Sequence, residues 1–142
     1  MKKVLWVVFL LLVGAGLFVL LGTDQVSDYW LNDIKEHASE HNAKKGDYWE
    51  AEEKYKVARY CQTLGNGGKA MVIYQDIMDN FYQTLPAQMA EFRLAQCFEG
   101  LINLVMAKEH YQNCYQKYPE LSDNEWAHKS QIRFNEILAN RI

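Results

Sequence analysis

His37 and His41 are the residues whose type and spacing come nearest to a metal site. They lie four positions apart with Glu40 beside them, so a helix would place both imidazoles on one face. Zinc is often bound by such pairs, but the sequence offers no third ligand at a recognisable spacing and no HExxH motif. The alternative is that both histidines stabilise the negative end of a helix dipole. They are therefore weak candidates for metal ligands, and we predict neither a metal nor a cofactor.

The other polar residues suggest no catalytic constellation. His110 and His128 have no paired acid or nucleophile that the sequence identifies. The glycine-rich run at 65–68 lacks the Lys and Ser/Thr of a phosphate-binding loop, and it follows a predicted helix rather than a strand. We therefore predict a protein that is not an enzyme.

Three cysteines, Cys61, Cys97 and Cys114, form neither a CxxC motif nor a zinc-binding pattern. One interpretation is that each is a small buried hydrophobic residue. The other is a disulfide between Cys97 and Cys114, which fall on two helices of one predicted hairpin. The strict geometry of a disulfide favours the first interpretation, and both remain open.

The spacing of apolar and small residues predicts an all-α chain. Apolar residues recur at intervals of three and four in six segments, at about 24–41, 47–64, 69–82, 87–104, 107–118 and 122–140. Short glycine- or proline-containing joints make neighbouring helices antiparallel. Asp47 and Ser122 each begin a predicted capping box, with Glu50 and Glu125 three residues later.

Two of the predicted hairpins share a pattern of small and aromatic residues, with Ala70 and Ala107 in matching positions 37 residues apart. The first unit has Val57, Ala58, Ala70 and Tyr74, and the second has Leu94, Ala95, Phe98, Ala107, Tyr111 and Pro119. The pattern resembles the tetratricopeptide-repeat (TPR) family over about 49–118. It departs from that family at Glu91, where Trp is expected, and at Cys61 and Tyr82. Its spacing also exceeds the family's repeat of about 34 residues.

The resemblance implies two TPR-like repeats with a flanking helix on each side, and a groove formed by the first helix of each repeat. Carried over by position, the groove residues are Glu52, Tyr55, Arg59, Gln62, Met89, Phe92, Gln96 and Glu99. We choose Tyr55, Met89 and Phe92 as anchors, because aromatic residues and methionine concentrate binding energy. The alternative is that these side chains pack against the helix that precedes the repeats.

The N-terminal 22 residues differ in character from the rest. Residues 4–21 form an unbroken apolar run after Lys2 and Lys3. Such a run is just long enough to cross a hydrocarbon core of about 30 Å, and the lysines predict a cytoplasmic N-terminus. A cleaved signal peptide is the alternative, although its apolar region usually has only about 7–15 residues. We predict a transmembrane anchor at 1–22, a membrane-proximal helix and linker at 23–46 and a TPR-like domain at 47–142.

This organisation is similar to that of single-span TPR proteins of the bacterial envelope. The similarity implies a bacterial inner-membrane protein with a periplasmic C-terminal domain, contacting the bilayer through residues 4–22. Its function would be that of a non-catalytic scaffold or adaptor for other proteins of an envelope complex. The alternative is an accessory subunit buried permanently in a larger membrane assembly, such as an energy-transducing one.

Charge and size narrow the classes of partner. The chain has 15 Lys and Arg against 18 Asp and Glu, and without Lys2 and Lys3 the balance is 13 against 18. This acidic balance argues against nucleic-acid binding, which needs clustered basic residues. Because two repeats bury only a small core, we expect the body to pack on another subunit or on a second copy of itself.

Overall fold

The computed structural model describes the backbone of residues 2–45 and 48–139, and the side chains of these residues outside 2–5, 17–21 and 42–45. All regular elements in these ranges are helical, which confirms the predicted all-α fold. The α-helices are α1 (Lys2–Lys45), α2 (Trp49–Thr63), α3 (Gly67–Asn80), α4 (Leu85–Gly100), α5 (Leu104–Gln116) and α6 (Glu125–Ala139). A 3₁₀ turn, Pro119–Leu121, lies between α5 and α6.

Helix α1 is 44 residues long, and the side chains from Trp6 to Val13 are between 43% and 68% exposed. A membrane-spanning helix needs about 20 consecutive apolar residues. Within the described ranges, no helix is both long enough and apolar enough to cross a bilayer. This finding contradicts the predicted inner-membrane localisation and leaves the predicted anchor at 1–22 without support. Within the apolar run, the side chains of residues 6–16 are described, and those of 17–21 lie outside the described residues.

The second half of α1 packs on the α2–α3 hairpin. Thr23, Ser27 and Ile34 are buried at intervals of about one or two helical turns, which puts them on the side of α1 that faces α2. Trp30 lies on the same side and packs edge-on against Tyr60 of α2, with ring centroids 6.4 Å apart. The second half of α1 therefore belongs to the helical body.

The α2–α3 and α4–α5 hairpins turn in the same way, 37 residues apart. The backbone N–H of Asn66 donates to the carbonyl of Cys61 at 2.9 Å, and Asn103 donates to Phe98 at 2.9 Å. Each asparagine side chain then accepts a hydrogen bond at 3.3 Å from the backbone N–H three residues later. This is the N-cap role that asparagine fills well. The turn between α4 and α5 lies at residues 101–103, earlier than the end at about 104 predicted for the preceding helix.

The two turns differ at their left-handed position. Gly65 has φ +84°, and the equivalent residue of the second turn, Ile102, has φ +60°. Glycine adopts this conformation freely, whereas a β-branched side chain does so only at a cost in free energy.

Two clusters of buried side chains hold the helices together. The first joins α1, α2, α3 and α4 around Tyr74, and the second joins α4, α5 and α6 around Phe92 and Tyr111. Helix α4 contributes to both, with Leu94 in the first cluster and Ala95 in the second. The body is therefore one stack of helices with α4 at its centre.

Helix α6 is capped by Asn124. Its Oδ1 accepts hydrogen bonds from two backbone N–H groups of the first turn, both at 3.0 Å. The predicted capping role of Ser122 is wrong, because the 3₁₀ turn uses this segment and the Ser122 hydroxyl donates to the Pro119 carbonyl at 2.9 Å. Asp47, which begins the other predicted capping box, lies outside the described residues.

Candidate partner-binding groove

Helices α2 and α4 lie beside each other, and α3 packs against both. The surface that α2 and α4 share carries most of the predicted groove residues. Glu52 is exposed there, and the half-buried members are Tyr55, Arg59, Gln62, Met89 and Gln96. We use the name α2–α4 groove for the surface formed by Tyr55, Arg59, Gln62, Met89, Arg93 and Gln96.

An apolar cavity of about 330 Å³ opens between the N-terminal part of α4 and the middle of α2. Its lining residues are Glu52, Tyr55, Lys56, Leu85, Pro86 and Met89. Tyr55 and Met89 are two of the three predicted anchors, and the structure brings them together. A mainly apolar pocket with charged groups at its edge has the character of a site for an apolar side chain.

A second cavity of about 510 Å³ lies at the other end of α2, beside the α2–α3 turn. It is lined by Gln62, Gly65, Gly67, Gly68, Met71, Gln96, Cys97, Gly100 and Leu101. Since four of these residues are glycines, much of this surface is backbone.

A polar network joins Arg59 to α3 and α4 between the two cavities. Arg59 Nη1 donates to Gln62 Oε1 at 3.0 Å, and the Tyr74 hydroxyl donates to the same oxygen at 2.9 Å. Gln62 Nε2 in turn donates to Cys97 Sγ at 3.4 Å. Burial raises the pKa of Tyr74, so its hydroxyl remains a donor at neutral pH. The network holds Gln62 in one orientation at the centre of the groove.

Arg93 is missing from the predicted groove residues but lies in the groove. Its Nε donates to the Tyr55 hydroxyl at 3.2 Å, and its Nη1 donates to Gln96 Oε1 at 2.8 Å. One signal in the sequence could have found it. The pattern Arg-x-x-Gln occurs at 59–62 and again at 93–96, and both copies form the same hydrogen bond along their helix.

Phe92 was predicted to lie in the groove, but it lies on another side of α4, facing the second core cluster. It is only 5% exposed, and it packs edge-on against Tyr111 and Trp126 with ring centroids 5.6 and 5.4 Å away. Consecutive residues of a helix point about 100° apart, so a shift of one position exchanges a groove residue for a core residue. Arg93 thus takes the groove position, and Phe92 fills the second core cluster.

Glu99, at the C-terminal end of α4, is engaged by α5 and α6. The Tyr111 hydroxyl donates to it at 2.8 Å, which repeats the contact of Tyr74 with Gln62 in the first hairpin. Arg133 forms an ion pair with the same carboxylate. The hydrogen bond with Glu99 raises the pKa of Arg133, so the guanidinium stays charged at neutral pH. The charge of Glu99 is therefore balanced within the chain.

A buried polar cluster around Glu91 lies between α4 and α5. His110 Nδ1 is 2.7 Å from Glu91 Oε1, and Asn113 Nδ2 donates to the same oxygen at 3.2 Å. The Tyr118 hydroxyl donates to the other oxygen at 3.5 Å. A buried carboxylate needs such partners to offset its loss of hydration. The hydrogen bonds of Glu91 thus join α4 to α5 and to Tyr118 after it.

The two weak metal candidates lie near the end of α1. The imidazoles of His37 and His41 have their centroids 6.3 Å apart. His37 Nδ1 is 2.9 Å from the Asp33 carbonyl, and His41 stacks on Trp49 at 4.3 Å. Within the described part of the chain, no group of three or more His, Cys, Asp or Glu side chains could hold a metal ion. Stacking on α2 is thus the contact that the structure assigns to His41.

All three cysteines are free thiols. Burial raises the pKa of each thiol, to about 12 for Cys114, so at neutral pH the protonated forms prevail. Cys97 is half-buried beside the second cavity, whereas Cys61 and Cys114 are buried. Of the two interpretations of these residues, the structure shows separate packed thiols.

Comparison with known proteins gives no assignment: no family model, no curated protein and no solved structure matches this chain.

Proposed function

We propose that this protein is a non-catalytic, TPR-like scaffold or adaptor whose α2–α4 groove binds a segment of another protein. The observation that carries the proposal is the apolar cavity of Tyr55 and Met89, which lies next to the hydrogen-bonded side chains of Arg59, Gln62 and Arg93. An apolar pocket bordered by polar groups is the usual composition of an interaction hot spot.

The arrangement of the helices supports a TPR-like groove. The first helices of the two hairpins, α2 and α4, lie side by side and form one surface, and α6 adds a third helix next to α4. The tyrosines that follow the hairpin turns, Tyr74 and Tyr111, both hydrogen-bond back to the preceding helix. Repeated hairpins of this kind commonly use the surface of their first helices for binding.

The proposal can be tested by photo-crosslinking in the cell that expresses the chain. A photoreactive amino acid placed at Met89, in the cavity, is expected to give a discrete crosslinked adduct with a partner protein. The same amino acid at Val72, which is 70% exposed on α3, is the matched control and is expected to give no such adduct. Mass spectrometry of the adduct identifies the peptide of the partner.

Two changes in the groove then show whether the adduct depends on the proposed contacts. Tyr55→Ala removes one wall of the cavity, and Arg59→Ala removes the guanidinium that donates to Gln62 in the polar network. Together they are expected to abolish the Met89 adduct while the helical circular-dichroism signal is retained. An adduct that persists in the folded double variant, or that forms equally from Val72, would contradict groove binding.

A second function is favoured by exposed apolar side chains at the α4–α5 turn. Leu101, Ile102, Leu104 and Val105 are between 46% and 84% exposed. Contiguous exposed apolar residues mark interaction surfaces. In this alternative the protein is a permanent subunit of a larger assembly, and the turn is part of its interface. Light scattering separates the two functions: an adaptor purifies as a folded monomer, and a permanent subunit purifies only in complex or aggregates.

A further inference from the structure

The α2–α3 turn and the α4–α5 turn lie at the same end of the helical body, and the second cavity opens between them. Residues between Gln62 and Met71 line one side of it, and residues between Gln96 and Leu101 line the other. We use the name turn hollow for this cavity of about 510 Å³. Its lining includes four glycines, which have no side chain to fill it. The hollow therefore has room for an apolar side chain from another molecule.

Four apolar side chains protrude from the α4–α5 turn beside the turn hollow. We use the name turn knob for Leu101, Ile102, Leu104 and Val105, which are between 46% and 84% exposed. Leu101 also lines the turn hollow, so the knob and the hollow form one continuous surface. Contiguous apolar residues at a surface indicate an interaction site. This end of the body thus presents a protrusion and a recess side by side, both of apolar character.

Ile102 is the most exposed residue of the turn knob, and its backbone is strained. It is 84% exposed at φ +60°, where the equivalent residue of the first hairpin is Gly65. Glycine adopts this conformation freely, whereas a β-branched residue does so at a cost in free energy. Within one copy of the chain, burial of the side chain offsets little of that cost. A contact with another molecule would supply the burial that the isolated body does not provide.

The surface of the turn knob and the turn hollow carries no charge. Residues 64–68 and 100–107 contain no Asp, Glu, Lys or Arg, and the other residues that line the hollow are uncharged. In a contact between two copies related by a two-fold axis, each surface meets an identical surface, so a charge there would approach its own kind. The chain has 18 acidic residues, and this uncharged end lets two copies meet without such repulsion.

We propose that two copies of this chain pair through this end of the body, with the turn knob of each copy seated in the turn hollow of the other. A protrusion beside a recess is self-complementary, because one two-fold axis between them fills both recesses at once. Since only the turns of each copy make the contact, we expect a dissociation constant on the order of 10 µM or weaker. In dilute solution the chain is then the folded monomer expected of an adaptor.

The pairing does not rest on groove binding. The cavity of Tyr55 and Met89 lies farther along α2 and shares no lining residue with the turn hollow. A second copy at the turns and a peptide in that cavity are therefore separate binding events, and each has its own test.

Photo-crosslinking of the purified full chain tests the pairing. A photoreactive amino acid at Val105 leaves Ile102 in place, and the probe-bearing chain is mixed with chain labelled with heavy nitrogen. An adduct that joins the two isotopes is intermolecular. We expect such an adduct, with a yield that rises with chain concentration and an attachment point at residues 62–71 or 96–101 of the second copy. The same probe at Tyr82, which is 59% exposed between α3 and α4, is the control and is expected to give none.

Two substitutions should abolish the mixed-isotope adduct and preserve the fold. Ile102→Gly removes the most exposed side chain of the turn knob and relieves its strain. Gly68→Leu fills the turn hollow instead, and a Cβ added at Gly68 would meet no heavy atom within 4 Å, so the isolated copy accepts it. Each is expected to lower the yield at least about tenfold, as the loss of a central contact does. Ile132→Ala, which removes a 57% exposed side chain from α6, is the control and should leave the yield unchanged.

Urea unfolding in dilute solution, followed by circular dichroism, checks the fold of the variants. Ile102→Gly and Gly68→Leu are both expected to be at least as stable as the unchanged chain, because glycine suits the turn and leucine suits a helix better than glycine does. Loss of the adduct in a variant of undiminished stability assigns the effect to the contact between copies.

The outcomes that would overturn the pairing are distinct from a failure of groove binding. No mixed-isotope adduct from Val105, or an equal one from Tyr82, would show that the turns do not meet. Attachment to residues 6–16 of the second copy would show association through the exposed apolar part of α1 instead. An adduct that persists in either folded variant would also contradict the pairing. So would capture, in the expressing cell, of a different protein by the Val105 probe with no second copy. None of these results changes the Met89 adduct on which groove binding depends.

Discussion

Ile102 shows at the scale of one residue how the two hairpins differ. Its φ of +60° repeats the left-handed turn position of Gly65, and its side chain is 84% exposed. A left-handed conformation costs an L-residue about 1–2 kcal/mol, and an exposed side chain recovers little of this by packing. Such strain at an exposed position commonly reflects a functional constraint rather than stability.

Ile102→Gly is expected to raise the free energy of unfolding by about 1 kcal/mol, because glycine adopts this φ without strain. Urea unfolding followed by circular dichroism measures the change. Ile102→Ala is the control: it removes the same exposed apolar surface but keeps a Cβ at positive φ, so little gain is expected. A loss of stability in the glycine variant would show that the isoleucine side chain contributes contacts that exceed the strain.

Among the contacts between helices, the Gln88 side chain of α4 connects α4 to α5, to the 3₁₀ turn and to the start of α6. It is fully buried on α4, and its Nε2 donates to the carbonyls of Cys114 and Leu121 at 2.9 and 3.2 Å. Asn124, which caps α6, donates to Gln88 Oε1 at 2.6 Å. One side chain thus holds the end of α5, the 3₁₀ turn and the start of α6 against α4. Each of these groups would lack a partner without it.

Gln88→Met, which keeps the volume of the side chain, is expected to lower the free energy of unfolding by about 3 kcal/mol. The reason is that two buried carbonyls and one amide lose their hydrogen bonds. Hydrogen exchange followed by mass spectrometry should show faster exchange in α6 than in α3. Gln75→Met on the exposed side of α3, where Gln75 donates to Asp79, is the control and should change stability by less than about 0.5 kcal/mol. Unchanged exchange in α6 would show that other contacts are enough to dock it.

The helical body, from the second half of α1 to α6, is a stack in which α4 belongs to both core clusters. Phe92 and Leu94 are two residues apart on this helix, yet they lie in different clusters. Because adjacent hairpins of such stacks are coupled through their interfaces, loss of one cluster removes the support of the other. We therefore expect the described body to unfold as one cooperative unit.

Ile77→Ala tests this coupling, since Ile77 is fully buried in the first cluster. The substitution is expected to lower the free energy of unfolding by about 2–4 kcal/mol. Trp30 packs on the first cluster and Trp126 on the second. Variants in which one of these two is the only tryptophan, with Trp6 and Trp49 also replaced, report each cluster by fluorescence. Both reporters should show the same shift of the urea midpoint. A midpoint at Trp126 that does not move would show that the clusters unfold independently.

The residues of the groove can be predicted from the sequence where only their spacing along one helix matters. Tyr55 and Met89 were assigned to the groove from the repeat pattern, and they line one cavity. The pattern assigns Phe92 to the groove, whereas the structure buries Phe92 and places the next residue, Arg93, beside Tyr55. In a helix this error of one residue changes the direction of the side chain by about 100°, and local sequence alone does not fix the register of α4 against its neighbours.

The sequence by itself determined the all-α fold, the positions of the hairpins and their 37-residue repeat, because helix periodicity and turn residues act over a few positions. Only the tertiary structure decided that Phe92 is core and that Arg93 reaches Tyr55 of α2. It also overturned the inner-membrane localisation that the apolar run at 4–21 had predicted. These features depend on how separate helices dock, and docking joins residues that are more than 30 positions apart in the chain.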